Sequence, residues 1–183
     1  MRATGIVRRI DDLGRIVIPI EIRRDMNIRD GDPLEIYVAA SGEVILKKYS
    51  AIADMKEFVQ GMAQSLHDTT GHLALITDRD EVVAAVGSQE RTWEGKAVGE
   101  VVLGAMENRE TLLFTPKDHH EGSLLGDQPS CPFPSEVIVP IVIGGDPVGA
   151  VILASEDAER EVSQLEVKLA QTAAGFMARH LEE

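Results

Sequence analysis

Five arginines fall between residues 8 and 24, and their side chains are the first feature of this sequence that could do chemistry. They are Arg8, Arg9, Arg15, Arg23 and Arg24. A guanidinium group stays charged and donates parallel hydrogen bonds, so it suits phosphate oxygens and the O6 and N7 edge of guanine. The cluster predicts an anionic partner, with duplex DNA as the best candidate, although exposed arginines also occur on surfaces that bind nothing.

Charge is unevenly divided along the chain. The 183 residues carry a formal net charge of −13. Residues 1–50 hold nine Lys or Arg against eight Asp or Glu, whereas the rest of the chain holds nine against 23. Nucleic acid repels an acidic body, so we expect that body to face away from any phosphate that the first part binds. The asymmetry predicts two units, at residues 1–50 and 51–183.

Cysteine content and hydropathy bear on where the protein works. Cys131 is the single cysteine, so no intrachain disulfide can form, as is usual in a reducing cytoplasm. The sequence shows neither an 18-residue apolar run nor a signal-peptide pattern at its start. We therefore expect a cytoplasmic protein, associated with the nucleoid if it binds DNA.

The arginines of the first unit need strands and a helix to position them. Residues 4–10 and 16–18 are rich in Ile and Val and predict strands, joined by a turn at 11–14 in which Gly14 can take positive φ. Pro19 then favours the start of a helix, whose polar side would carry Arg23 and Arg24.

Alternating residues predict a β-hairpin after this helix. Residues 34–38 and 44–46 read as strands, and Ser41-Gly42 supplies the turn between them. Asn27 is suited to a left-handed helix cap.

About fifty residues in four short strands bury too little surface to be stable alone, and their strand edges would remain unpaired. A dimer with interleaved strands solves both problems, as would other oligomers. A dimer also arranges the arginines about a two-fold axis, which suits duplex DNA.

Residues 1–50 resemble the swapped-hairpin DNA-binding domain of the AbrB family of transition-state regulators. The resemblance implies an interleaved dimer in which the arginines matching Arg8, Arg15, Arg23 and Arg24 contact DNA. MazE-type antitoxins share this fold, so an antitoxin-like module that binds a protein partner is the alternative. The matching motifs are Thr4-Gly5-Ile6-Val7-Arg8-Arg9, Leu13-Gly14-Arg15, Val17-Ile18-Pro19, Glu21-Ile22-Arg23-Arg24, Leu34-Glu35-Ile36 and Ile45-Leu46-Lys47-Lys48-Tyr49.

The second unit shows an alternation of helices and strands that resembles a GAF domain, an α/β sensor fold. The fold class predicted for the chain is thus α+β: an AbrB-like swapped-hairpin barrel followed by a GAF-like domain. The predicted helices are 51–69, 98–108 and 159–182, and the predicted strands are 73–77, 82–86, 111–115, 137–143 and 148–154. The last helix carries two apolar stripes, so it can face its own sheet and a second subunit.

Both units together resemble the stage V sporulation protein T family. The resemblance implies a homotetramer held by helices of the GAF-like domains. It also implies a forespore regulator that activates some sporulation genes and represses others. The matching motifs in the second unit are Gly71-His72, Asp78-Arg79-Asp80, Gly145-Asp146-Pro147-Val148-Gly149-Ala150-Val151 and Thr172-Ala173-Ala174-Gly175-Phe176-Met177-Ala178-Arg179.

The sequence contains no recognisable catalytic or metal-binding motif. Asp118, His119 and His120 with Cys131 match no zinc-finger spacing, and no nucleophile–His–acid set stands out. We expect no enzyme activity, no metal and no cofactor. The loop at 116–135 could close over an unidentified small apolar or amphipathic ligand, and Trp93 could stack on it.

Overall fold

The structure, a computed structural model, describes residues 5–88, 90–118, 122–126 and 132–182. These residues belong to two compact units, Met1–Tyr49 and Ser50–Glu183.

The first unit contains one short helix and one hairpin. Helix α1 spans Ile20–Asp25, and the antiparallel strands β1 and β2 span Leu34–Val38 and Val44–Lys48. Asn27 has a φ of +50°, the left-handed conformation expected of it. The predicted hairpin is therefore confirmed, with β2 two residues longer than expected.

The strands predicted at 4–10 and 16–18 are absent from the described residues 5–19, and Thr4 lies outside the described part. Only the turn between them is formed, with the Asp11 N–H donating to the Arg15 carbonyl at 3.0 Å and the Gly14 N–H to the Asp11 carbonyl at 3.0 Å. A strand requires a neighbouring strand to hydrogen-bond with its backbone. The segments before and after the turn, 5–10 and 15–19, form its two arms, and among the described residues of one chain no strand pairs with either arm.

The described part of the first unit has almost no interior. Pro19 is the one buried residue among residues 5–49. Apolar side chains are widely exposed instead: Val7 is 90% exposed, Val17 71% and Val38 75%.

The second unit is built on a five-stranded antiparallel sheet of order β4-β3-β7-β6-β5. Its strands are β3 Leu73–Thr77, β4 Val82–Val86, β5 Leu112–Phe114, β6 Ser135–Ile143 and β7 Asp146–Ser155. The turn between β6 and β7 places both Gly144 and Gly145 at positive φ, +56° and +94°.

Helices cover both faces of this sheet. They are α2 Ala51–Asp54, α3 Lys56–Thr70, α4 Glu90–Trp93, α5 Glu100–Asn108 and α6 Gln164–Leu181.

Strand residues alternate between two buried clusters, one on each face of the sheet. Ala74 and Ile76 belong to the cluster that includes residues of α3 and α6, whereas Leu73 and Leu75 belong to the cluster that includes residues of α4 and α5. Burial on both faces explains why these strands read as continuous apolar runs.

Three helix predictions need correction. The helix predicted at 51–69 is divided into α2 and α3 at Met55, whose φ of −105° and ψ of 35° depart from helical values, and Ile52 of α2 is fully buried in the cluster that contains strand residues. The helix predicted at 98–108 begins at Glu100, since Val98 bridges to Leu125. The last helix begins at Gln164 instead of 159, because Ser163 and Glu166 form a capping box there.

Candidate nucleic-acid interface

The turn at residues 11–15 is held by the side chain of Asp11. Its Oδ1 accepts hydrogen bonds from the backbone N–H groups of Leu13 at 3.0 Å and Arg15 at 2.8 Å. Its Oδ2 accepts a third bond from the Arg15 Nε at 2.9 Å. The backbone and side-chain bonds from Arg15 lower the pKa of Asp11 below its usual value, so this carboxylate stays charged at neutral pH.

The Arg15 guanidinium keeps its terminal edge available. Its side chain is 68% exposed, and Asp11 engages Nε alone. Among the described residues, neither terminal nitrogen of Arg15 has a partner. A phosphate or guanine edge can therefore use the paired Nη donors while Asp11 holds the Nε.

Helix α1 carries the next two arginines in its last turn, where the helix dipole favours positive charge. The Arg23 Nη1 donates to the Asp30 Oδ1 at 2.5 Å, and its Nε is buried with no partner in the described part of the chain. Arg24 is exposed. These two neighbours therefore differ, since a carboxylate occupies one terminal nitrogen of Arg23.

Arg8 and Arg9 lie on the arm before the turn, and both are exposed. Within the described ranges, no ion pair joins Arg8, Arg9 or Arg24 to a carboxylate. The structure thus places three of the predicted residues on the two sides of one turn and two on the following helix.

Sequence reasoning missed Asp11 and Asp30 as partners of these arginines. The Asp11 contact had a readable signal, because an aspartate that opens a turn often accepts backbone bonds from the residues after it. The Asp30 contact had no signal in the sequence, because it depends on the left-handed conformation of Asn27 just after the helix.

Two of the candidate residues in the second unit, Trp93 and Asp118, lie in the described part of the chain. Trp93 is buried, with its ring 5.3 Å from that of Phe133 and the Lys96 Nζ 4.7 Å from the ring centre. The Asp118 carboxylate accepts from the backbone and hydroxyl of Thr115, at 2.7 and 2.8 Å. His119, His120 and Cys131 lie outside the described residues.

Neither a metal centre nor a membrane-spanning helix is found among the described residues. They contain no group of three or more His, Cys, Asp or Glu side chains placed to hold a metal ion. None of their helices combines the length and the apolar character needed to cross a membrane.

Comparison with known proteins finds relatives for both units. Residues 54–182 match the family model described as stage V sporulation protein T C-terminal, transcription factor. The chain is also 45% identical to stage V sporulation protein T of Bacillus subtilis (strain 168) over 183 residues, which cover 100% of this chain and 100% of the relative. The chain belongs to the stage V sporulation protein T family. It is thus a sporulation transcription factor, as predicted.

The amino-terminal unit of this family member has relatives of its own. Residues 7–54 match the model described as antidote-toxin recognition MazE, bacterial antitoxin. Over 49 residues, 27% of this chain and 50% of the relative, it is 59% identical to the transition state regulatory protein AbrB of Bacillus subtilis (strain 168). The full-length family relationship favours the regulator over the antitoxin-like alternative.

Solved structures share the fold of the second unit. The GAF domain of an Acinetobacter phosphoenolpyruvate-protein phosphotransferase covers 74% of this chain and 84% of its own, with a TM-score of 0.58 at 12% identity. A free methionine-R-sulfoxide reductase from Thermoplasma acidophilum covers 71% and 94%, with a TM-score of 0.54 at 15% identity. The predicted α+β fold class, an AbrB-like unit followed by a GAF-like domain, is confirmed.

Proposed function

We propose that the chain binds duplex DNA through Arg8, Arg9, Arg15, Arg23 and Arg24 of the first unit. The observation that carries this proposal is that the side chains of Arg8, Arg9 and Arg24 are exposed and have no carboxylate partner among the described residues. These three arginines keep their donors for phosphate and base edges, and Arg15 and Arg23 keep the donors that Asp11 and Asp30 do not engage.

The binding form is a dimer in which the first units of two chains interleave. Residues 5–49 expose Val7, Val17 and Val38 and bury only Pro19, so this unit lacks a core of its own. The arms at 5–10 and 15–19 have no strand partner among the described residues of one chain. A second copy supplies both the missing core and the missing strands, and it doubles the arginine set.

Helix α6 supports assembly of two such dimers into a homotetramer. Its buried side carries Ala170, Ala174 and Met177, while Leu165 is 65% exposed and Phe176 47% exposed. Large apolar side chains on the outer side of a helix favour a protein–protein contact. We assign the GAF-like domain to this assembly.

A small-molecule signal at the GAF-like domain is favoured by one observation. The indole Nε1 of Trp93 is buried and has no hydrogen-bond partner among the described residues. Trp93 is the only tryptophan of the chain, so its fluorescence reports directly on that environment. A metabolite library should be screened for compounds that change both the tryptophan emission and the melting temperature. A compound that raises the melting temperature without changing the emission would argue against a ligand at Trp93.

In the cell, this protein would act in the cytoplasm at the nucleoid of the developing forespore, activating some sporulation genes and repressing others. It would do so without catalysis or cofactor. Genome-wide mapping of DNA occupancy, in cells with the full chain and with the first unit alone, tests the role. Occupancy at sporulation promoters supports it; stoichiometric recovery of a toxin without occupancy would support the antitoxin-like alternative.

DNA binding itself is tested by selection from a random-sequence duplex library with the full chain. We expect the selected duplex to bind with an affinity that falls steeply with salt, since each neutralised phosphate contributes a slope of about −0.9 in log–log form. Failure to enrich any duplex, or an affinity independent of salt, would overturn the proposal.

A further inference from the structure

Asp11 sits beside an arginine that the proposed function assigns to DNA, and simple electrostatics makes that placement unfavourable. The Asp11 side chain is 37% exposed, so its charge reaches any phosphate near Arg15. A carboxylate there repels the phosphates and competes with them for the guanidinium. The contacts of Asp11 must therefore supply something that offsets this repulsion.

The two carboxylate oxygens of Asp11 have different roles. Oδ1 takes the backbone N–H groups of Leu13 and Arg15, which closes the turn. Oδ2 takes the Arg15 Nε at 2.9 Å, which fixes the long axis of the guanidinium. Because this bond uses only the Nε–H, the N–H groups at the terminal end of the guanidinium have no hydrogen-bond partner among the described residues.

Fixing an arginine before binding has a calculable benefit. Ordering one long side chain at an interface lowers affinity by about 2- to 12-fold. A side chain already ordered in the free protein avoids that loss. Asp12, the next residue, has no recorded side-chain hydrogen bond or ion pair within the described residues, so it offers the same charge without the contact.

We propose that Asp11 is a positioning residue for DNA binding, which orients the Arg15 guanidinium with its terminal edge towards the duplex. This inference rests on the proposed function. It assigns Asp11 a role opposite to the one its charge suggests: removing the carboxylate weakens DNA binding.

The test is a double-mutant cycle on the full chain, using the duplex selected by the wild-type protein and fluorescence anisotropy. Asp11→Asn keeps an oxygen for the turn bonds but removes the bond to the Arg15 Nε. We expect its affinity to fall about 2- to 12-fold. Asp12→Asn, which removes the same charge, should bind as tightly as the wild type or more tightly. In an Arg15→Ala background, Asp11→Asn should no longer weaken binding.

Three results would overturn the inference. Asp11→Asn could bind like Asp12→Asn, which would leave charge as its only effect. It could weaken binding equally with and without Arg15, which would make its role a structural one in the turn. Arg15→Ala could leave affinity unchanged, which would remove Arg15 from the interface.

Two controls keep these outcomes separate. Melting temperature and light-scattering mass verify the fold of each variant, and Asp11→Ser, which retains an oxygen for the turn, replaces Asp11→Asn if that variant unfolds. Failure of the wild-type chain to bind any duplex would contradict the proposed function itself, whereas the three results above arise with wild-type binding intact.

Discussion

At the scale of single residues, the arginines of the first unit are not equivalent. Arg15 loses only its Nε to Asp11, but Arg23 gives a terminal nitrogen to Asp30, whose side chain is 93% exposed. Arg23 therefore has to exchange one carboxylate for a phosphate or base before it can bind DNA with its terminal edge. On the proposed function we therefore expect Asp30 to weaken DNA binding, the reverse of what we infer for Asp11.

Removal of the Asp30 carboxylate should therefore strengthen DNA binding. We expect Asp30→Asn to raise affinity by up to about 5-fold, because it frees the Arg23 Nη1 from an exposed ion pair, and such pairs contribute at most about 1 kcal/mol. Anisotropy titration at fixed salt measures the change. Arg23→Ala combined with Asp30→Asn should abolish most of the gain, and a loss of affinity in Asp30→Asn alone would show that this pair orients Arg23 instead.

At the scale of secondary structure, predictions succeeded where the local pattern and the tertiary environment agree. Strands β3 and β4 were predicted to the residue, since both are fully buried runs bounded by turn residues. The arms around the first turn failed as strands because pairing needs partners that the described residues of one chain do not contain. The start of α6 could have been found, because Ser163 followed three residues later by Glu166 is a readable capping signal.

The candidate site divides in the same way. The residue types that bind anions were visible from the sequence, and so was the turn that carries Arg15. Which guanidinium groups are engaged was not visible, because the contact from Arg23 to Asp30 spans seven residues and a change of backbone direction. Contacts of that kind belong to the folded chain and leave no periodic signal.

One close approach between strands gives a sharp test of the GAF-like domain. A Cβ on Gly149 would lie 2.0 Å from the backbone oxygen of Thr77 and 2.5 Å from the Ile52 Cδ1. The backbone cannot yield as a side-chain end would, so Gly149→Ala should cost about 1–3 kcal/mol or more of the free energy of unfolding. Denaturant titration monitored through Trp93 fluorescence measures it.

The matched control is Gly61→Ala in helix α3. Gly61 is exposed, and a Cβ there meets nothing within 4 Å. The free energy of unfolding of this variant should rise by about 0.5–1 kcal/mol, because alanine is more favourable than glycine in a helix interior. Equal effects of the two substitutions would contradict the packing described for β3 and β7.

At the scale of the whole molecule, the proposed function gives contact with DNA to the first unit and contact between subunits to the second. The first unit carries the arginine cluster, and its arms at 5–10 and 15–19 pair with no strand among the described residues, while the second unit has the buried sheet and the exposed apolar positions of α6. The acidic second unit is not suited to following a phosphate backbone. On the proposed function, we expect it to contribute to regulation through the number and spacing of the first units that it holds together.

The assembly role makes a separable prediction. Replacing both Leu165 and Phe176 with Glu should convert the tetramer to dimers, because charge is costly in an apolar contact. Light scattering gives the mass. Gln171→Glu serves as the control, because Gln171 is exposed and lies about 120° around the helix from Leu165. An unchanged mass for the double variant would move the subunit contact away from this side of α6.

The central claim is that the arginines of the first unit contact the duplex, and one comparison of affinities tests it most directly. Arg8→Ala, Arg15→Ala and Arg24→Ala are titrated as full chains against the selected duplex, beside Lys117→Ala, which removes one exposed positive charge from the second unit. The account predicts that each arginine variant loses about 5-fold or more in affinity, as expected for 1–3 kcal/mol per good contact, with mass and melting temperature unchanged. Lys117→Ala should bind like the wild type. Equal affinities across all four variants, or losses that accompany unfolding, would contradict it.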